Sequence, residues 1–162
     1  MATKNESLAN AEVQDLVITR VFDAPRNLVF KMWTDSRLIA TWWGPKGFTN
    51  PVCRLDSKEA GAIRIIMQGP DGTRYPVSGI FREIKEPERL VFITRKEDEK
   101  GNMQLEIENT VSFFEEGEKT RMLFKAVVLK TSPEGTEACK GMSMGWNQSL
   151  DRLEESLFKF SS

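Results

Sequence analysis

A run of apolar, largely β-branched residues is followed by apolar residues that recur with the spacing of two short helices. Residues 15–22 (DLVITRVF) predict a β-strand, because β-branched residues pack well on a pleated sheet. A proline then precedes apolar residues that recur at helical intervals up to Trp33. Asp35 interrupts this stripe and can cap a second short helix, which Gly44 and Pro45 end. The N-terminal part therefore predicts one strand followed by two short helices.

From residue 47 to residue 130 the period changes to that of strands and turns. The clearest strand is 103–113, where apolar and polar residues alternate, so that one face is covered and the other meets water. Pro51 indicates an edge or irregular position for the strand that contains it. Short turns between the strands favour an antiparallel meander. The further predicted strands are 48–56, 61–67, 75–84, 90–95 and 120–130.

A long amphipathic helix is predicted after Ser132, where the order serine, proline, glutamate suits a helix start. Apolar residues then recur every three or four positions as far as Phe160, and the opposite side is polar. The pattern predicts an α+β fold, in which a curved antiparallel sheet wraps around the long C-terminal helix. A cavity can form where the curvature holds the two layers apart. We expect residues 1–13 to form a flexible arm and residues 14–162 a single domain.

The composition argues against several kinds of functional site but does not identify a function. Lysine and arginine total 23 against 24 aspartates and glutamates, so the excess positive charge of a generic nucleic-acid binder is missing. The chain has no histidine, the commonest general base and a usual zinc ligand. Its two cysteines, Cys53 and Cys139, are far apart and form no paired motif. We therefore predict no catalytic residue, no metal and no cofactor.

The same features bear on location. No apolar run approaches the roughly 20 residues of a membrane span. Residues 1–10 are polar and lack the basic-then-apolar order of a signal peptide. Together with two cysteines that we interpret as reduced thiols, these features predict a cytoplasmic protein.

A set of short motifs, in order along nearly the whole chain, carries a family resemblance. They are ITRVFDAP at 18–25, WTD at 33–35, WWGP at 42–45, Gly79, PERL at 87–90, TR at 120–121 and GW at 145–146. The combined pattern over residues 15–160 resembles the activator of heat-shock chaperone ATPase homologue-like (AHSA1-like) domain of the START-like (SRPBCC) helix-grip superfamily. The resemblance implies the helix-grip fold and, across the superfamily, a cavity for apolar molecules such as lipids, sterols or polyketides. It implies no fixed reaction.

Aromatic, methionine and amide residues at the expected sheet–helix interface, together with Trp43 at its expected entrance, are the candidate ligand contacts. They are Trp43, Phe81, Phe92, Asn109, Phe124, Met142 and Trp146. Methionine is adaptable and aromatic rings offer broad faces, which suits a cavity wall. The same alternation is equally typical of an ordinary packed core.

Four polar or small residues leave alternatives open. Asn109 interrupts an apolar face, and a buried amide must bond either a neighbouring group or a ligand. If Arg20 points inward, it needs a carboxylate or an anionic ligand, and a structural ion pair is favoured. Gly141 and Gly145 weaken the predicted helix. Two explanations for these glycines are open. They allow either close packing on the short helices, which is slightly favoured, or a loose helix segment at the mouth of a cavity.

The favoured function is the binding of a small, largely apolar ligand between the sheet and the C-terminal helix. One alternative is a cavity enzyme of the polyketide cyclase or aromatase kind. Another is a co-chaperone-like protein-interaction module, marked by an exposed apolar patch. The family's namesake has a further N-terminal domain that we do not expect in this chain, so its chaperone role is not carried over. Dimer formation through a sheet edge stays open, and neither a nucleic-acid partner nor a membrane span is predicted.

Overall fold

The computed structural model describes residues 15–98 and 100–161, which form a seven-stranded antiparallel sheet and four helices. The strand order across the sheet is β1-β7-β6-β5-β4-β3-β2. The predicted α+β helix-grip fold is confirmed, whereas the predicted arm lies outside the described residues. The strands are β1 (Leu16–Phe22), β2 (Thr49–Leu55), β3 (Ala62–Gln68), β4 (Arg74–Lys85), β5 (Arg89–Glu97), β6 (Met103–Glu116) and β7 (Lys119–Thr131). The helices are α1 (Arg26–Thr34), α2 (Ser36–Ile39), α3 (Pro133–Cys139) and α4 (Met142–Ser161).

Local sequence signals explain where the short helices begin and end and why β2 lies at an edge of the sheet. The Oδ1 atom of Asp35 accepts hydrogen bonds from the backbone N–H groups of Arg37 at 2.9 Å and Leu38 at 3.3 Å, and so caps α2. Gly44 has a φ of 97°, in the left-handed region that favours glycine. Pro51 lies in β2, an edge strand whose pairing with β3 shifts register. The edge position predicted for Pro51 is confirmed.

The core lies between the inner face of the sheet and the helices, and α4 contributes mainly through residues 150–157. Leu150, Leu153 and Leu157 of α4 are buried. Burying a leucine side chain contributes about 1.5–3 kcal/mol. Met144, in the first turn of α4, is 69% exposed. The helix is therefore seated on the core most firmly from Leu150 onward. No helix among the described residues is long and apolar enough to cross a membrane.

The segment after Ser132 forms two helices, which corrects the prediction of one uninterrupted helix. The Oγ atom of Ser132 accepts a hydrogen bond from the backbone N–H of Gly135 at 3.1 Å, so the predicted cap is present. The chain then turns at Lys140 and Gly141 before α4 begins. Glycine is costly inside a helix. A Cβ built at Gly141 would meet no described atom within 4 Å. No tertiary contact with a described residue at this position therefore offsets the cost of placing glycine in a helix.

Arg20 ties the edge strand β1 to α4. Its Nη1 donates to Oδ1 of Asp151 at 2.8 Å, and its Nη2 donates to the backbone oxygen of Asn147 at 3.0 Å and to Oδ1 of Asn147 at 3.1 Å. The Arg20 side chain is only 20% exposed. Bonds of this kind are stronger than those of a solvated surface pair. The structural ion pair favoured for Arg20 is confirmed.

We expect Arg20→Met to lower the free energy of unfolding by about 1.5–3 kcal/mol, because three charge-assisted hydrogen bonds between β1 and α4 are lost. Urea unfolding followed by circular dichroism measures the change. Arg82→Met is the matched control, since Arg82 is 57% exposed and lies 4.0 Å from Glu108. The control should change the free energy by less than about 0.5 kcal/mol. Equal effects of the two substitutions would contradict the role given to Arg20.

Candidate functional site

A cavity of about 360 Å³ lies between the sheet and the N-terminal half of α4. Its sheet wall comes from β3, β4, β5 and β6, and the opposite wall comes from the first turns of α4. The loop after α2, which contains Trp43 and Pro45, closes one side. Ligand pockets in proteins usually occupy about 300–1,000 Å³. The cavity therefore has the volume of a site for a small molecule.

Four of the seven predicted ligand contacts line this cavity. They are Trp43, Asn109, Met142 and Trp146. The other three, Phe81, Phe92 and Phe124, are buried and lie outside the lining. The ring centroid of Phe124 lies 4.3 Å from that of Trp146, and that of Phe92 lies 6.4 Å from that of Trp43. These two phenylalanines support the cavity wall from behind.

An aromatic cluster fixes the wall formed by Trp43 and Trp146. The two rings meet edge to face, with centroids 5.2 Å apart. Trp146 also stacks on Trp33, at a centroid distance of 5.9 Å. Trp42 is fully buried, and its Nε1 donates to the backbone oxygen of Met32 at 2.9 Å. The adjacent tryptophans therefore differ in position, since Trp42 anchors the short helices and Trp43 contacts the cavity.

Asn109 and Thr94 place polar atoms on the sheet wall. Asn109 is 1% exposed, and its Nδ2 donates to the Thr94 hydroxyl oxygen at 3.1 Å and to the backbone oxygen of Phe92 at 3.3 Å. The bond to a neighbouring side chain that we considered for Asn109 is therefore present. Within the described part of the chain, no hydrogen bond reaches Oδ1 of Asn109, and the Thr94 hydroxyl donates none. Both groups can bond a molecule in the cavity.

Lys96 is the charged residue of the described lining. It lies two positions after Thr94 on β5, so the two side chains share one face of the strand. Lys96 is exposed to solvent, yet desolvation by the surrounding protein lowers its pKa, an effect that nearby Cys139 opposes. Burial raises the pKa of the Cys139 thiol and raises that of Cys53 to about 11. Both cysteines are free and are protonated thiols at neutral pH.

The described residues offer no further charged centre at the cavity. None of the lining residues among them is acidic. No group of three or more histidine, cysteine, aspartate or glutamate residues within residues 15–98 and 100–161 could hold a metal ion.

The two helix glycines leave space at the cavity instead of packing closely. Gly141 and Gly145 both line it. A Cβ at Gly145 would meet the Cγ atom of Pro45 at 3.8 Å, an ordinary contact, and a Cβ at Gly141 would meet no described atom within 4 Å. The slightly favoured explanation, close packing on the short helices, is therefore wrong.

Thr94 and Lys96 line the cavity but are not among the predicted ligand contacts, although the sequence contains a signal for both. On β5 they follow Phe92 at intervals of two, so all three belong to the inner face. Phe92 is buried, whereas Thr94 is half-buried and Lys96 is exposed. A change from apolar to polar residues along an inner face indicates the point where the core ends and an open space begins.

Arg152 holds the loop that carries Trp43 against α4. Its Nη1 donates to the backbone oxygens of Trp43 at 3.1 Å, Gly44 at 2.8 Å and Pro45 at 3.1 Å, and its Nη2 donates to that of Thr41 at 3.3 Å. Desolvation lowers the pKa of Arg152, an effect that Glu155 opposes. The Arg152 guanidinium therefore supplies the hydrogen bonds that water would otherwise donate to these backbone carbonyl groups at the edge of the cavity.

The chain matches the model of a known protein family over most of its length. The family model described as "Activator of Hsp90 ATPase homolog 1-like protein" matches residues 23–157. The chain belongs to this family. The resemblance drawn from the sequence motifs is confirmed. A comparison with curated proteins finds no match.

Solved structures similar to this activator-homologue domain agree on the fold. A Nitrosomonas europaea protein is 27% identical, with a TM-score of 0.74, and the match covers 93% of this chain and 97% of that one. An Arthrobacter aurescens protein is 25% identical, with a TM-score of 0.80 and coverages of 93% and 89%. The AHSA1 protein from Silicibacter pomeroyi is 24% identical, with a TM-score of 0.75 and coverages of 89% and 97%.

For this AHSA1-like domain we expect Arg152→Lys to lower the free energy of unfolding by about 1.5–3 kcal/mol. A lysine ammonium cannot reproduce the planar fork that bonds several carbonyl oxygens at once. Urea unfolding measures the loss, and the near-ultraviolet circular dichroism of the tryptophans should weaken as the Trp43 loop loosens. Arg37→Lys is the control, because the exposed Arg37 side chain makes no hydrogen bond or ion pair within the described residues. An Arg152→Lys protein as stable as this control would rule out the proposed role.

Proposed function

We propose that this protein binds a small, largely apolar molecule in the cavity between the sheet and α4. One observation carries the proposal, namely an open space of about 360 Å³ whose walls are mostly apolar. Apolar surface is contributed by both layers, for example by Val77 and Ile107 of the sheet and by Trp146 of α4. Removing apolar surface from water stabilises a complex by about 25 cal/mol per Å², before the loss of ligand freedom is subtracted.

Different residues would adapt the cavity to the shape of the ligand and set the orientation of the ligand. Met67 and Met142 lie on opposite walls of the cavity, and the flexible thioether side chain adjusts to ligands of different outline. Asn109 supplies a fixed acceptor, because its amide nitrogen is already held by Phe92 and Thr94. A ligand with one hydrogen-bond donor would therefore bind in a preferred orientation.

A neutral fluorescent probe tests the proposal directly. N-phenyl-1-naphthylamine fluoresces strongly in apolar surroundings, and we expect saturable binding of one molecule per chain. Energy transfer from the tryptophans should accompany binding, because Trp43 and Trp146 line the cavity. The neutral alcohol 1-decanol should displace the probe. Failure of both the probe and the alcohol to bind at any soluble concentration would count against the proposal.

Filling the cavity from the helix side should abolish this binding. We expect Gly145→Leu to weaken probe affinity at least about tenfold, a loss of roughly 1.4 kcal/mol, while helix propensity keeps the protein folded. The added side chain starts beside Pro45, which also lines the cavity. Fluorescence titration measures the affinity.

Met144→Leu is the matched control, because it places the same side chain one position away, where the residue is 69% exposed. This variant should bind the probe like the unaltered protein. Equal binding by the Gly145→Leu variant would show that the probe occupies another place.

Binding of a chaperone is the second candidate, and one surface observation favours it. Phe158 is 76% exposed and Phe160 is 52% exposed, both in the last turns of α4. The family description names an activator of the Hsp90 ATPase, so an Hsp90-type chaperone is the partner to test. If this surface binds Hsp90, Phe158→Ser should abolish co-sedimentation with the purified chaperone. Gly145→Leu should leave that interaction unchanged, which separates the two functions.

A further inference from the structure

The cavity carries a single type of charge. Lys96 contributes an ammonium group, and none of the described lining residues is acidic. Within the described part of the chain, Lys96 forms no ion pair. The adjacent Arg95, on the opposite face of β5, pairs with Glu106, with Nε and Oε2 2.6 Å apart. The outer face of β5 therefore balances its charge at this point, whereas the cavity face does not.

Lys96 has apolar neighbours on both adjacent strands. In the sheet register it lies opposite Val77 on β4 and Leu105 on β6, and both of these line the cavity. Desolvation by this surrounding lowers the pKa of Lys96. An unpaired cation beside apolar side chains gains from an anionic partner at close range.

Thr94 adds a second donor beside this charge. Residues two apart on a strand lie about 6.6 Å apart along the same face. Asn109 Nδ2 already donates to the Thr94 hydroxyl oxygen, so the hydroxyl hydrogen is directed to another acceptor. A group with two acceptor oxygens can bond the threonine hydroxyl and the lysine ammonium together. A carboxylate has this form.

We propose that the cavity takes an apolar molecule that carries a carboxylate, with the carboxylate at Lys96 and Thr94 and the apolar body between the sheet wall and α4. This inference rests on the proposed binding function and names the class of its ligand. The apolar lining supplies affinity that is independent of charge. The two β5 residues supply discrimination in favour of the anion, since hydrogen bonds to ionised groups are the stronger kind.

Two probes of equal chain length separate the anion contact from apolar binding. Decanoate and 1-decanol differ in the carboxylate alone, and isothermal titration calorimetry measures the affinity of each. In Lys96→Gln we expect the ratio of decanoate affinity to 1-decanol affinity to fall about tenfold. In Thr94→Val the ratio should fall about threefold, and Thr94→Ser should keep it. Binding of 1-decanol should be unchanged in Lys96→Gln, because a neutral alcohol forms no ion pair with Lys96, and this also shows that the cavity is intact.

Two controls and two adverse outcomes complete the experiment. Lys96→Arg should keep the preference for the anion, and so should Lys125→Gln, which removes one charge from an exposed position of β7. An affinity ratio unchanged by Lys96→Gln would overturn the inference and leave apolar binding in place. Failure of the unaltered protein to bind either probe would overturn the inference and the proposed function together.

Discussion

The structure depends on how α4 is fixed to the sheet, since the helix is firmly seated from Leu150 onward and is held before that mainly by Trp146. The buried leucines Leu150, Leu153 and Leu157 supply the apolar contact. Arg20 binds the helix from the edge strand, and Arg152 binds it to the loop after α2. All of these contacts lie at or beyond residue 147. Before Asn147 the helix contacts the core mainly through the ring of Trp146, and the cavity lies beside that ring.

The aromatic cluster explains why this open end does not collapse. Trp33 is buried and stacks against both Phe124 and Trp146, so the ring of Trp146 is held from behind while one side faces the cavity. Trp43 meets it edge to face and is fixed through its own carbonyl by Arg152. Rigid, mutually supported rings keep a wall in place without needing an atom on its free side.

The sequence predicted the fold well because both of its periodicities are strong and local. Alternation along β6 and helical spacing along α4 define which faces are covered, and Pro51 marks the edge strand. The cavity lining was harder to predict, because alternation assigns a side chain to the inner face without showing whether another layer covers it. Phe81 of β4 and Asn109 of β6 were therefore both predicted as ligand contacts, although Asn109 lines the cavity and Phe81 does not. Their difference arises from where α4 separates from the sheet, which depends on contacts between residues more than a hundred positions apart, such as Arg152 with Gly44.

The residues that break local rules converge on one place. Gly145 weakens α4, Gly141 ends the helical pattern before it, Asn109 interrupts an apolar strand face, and Thr94 and Lys96 put polar groups on the inner face of β5. All five line the same cavity. Independent packing defects would be scattered over the molecule, because each arises from its own neighbours. Departures from otherwise consistent patterning are expected at functional sites, where stability is given up for binding. Their convergence therefore favours a ligand site over an imperfectly filled core.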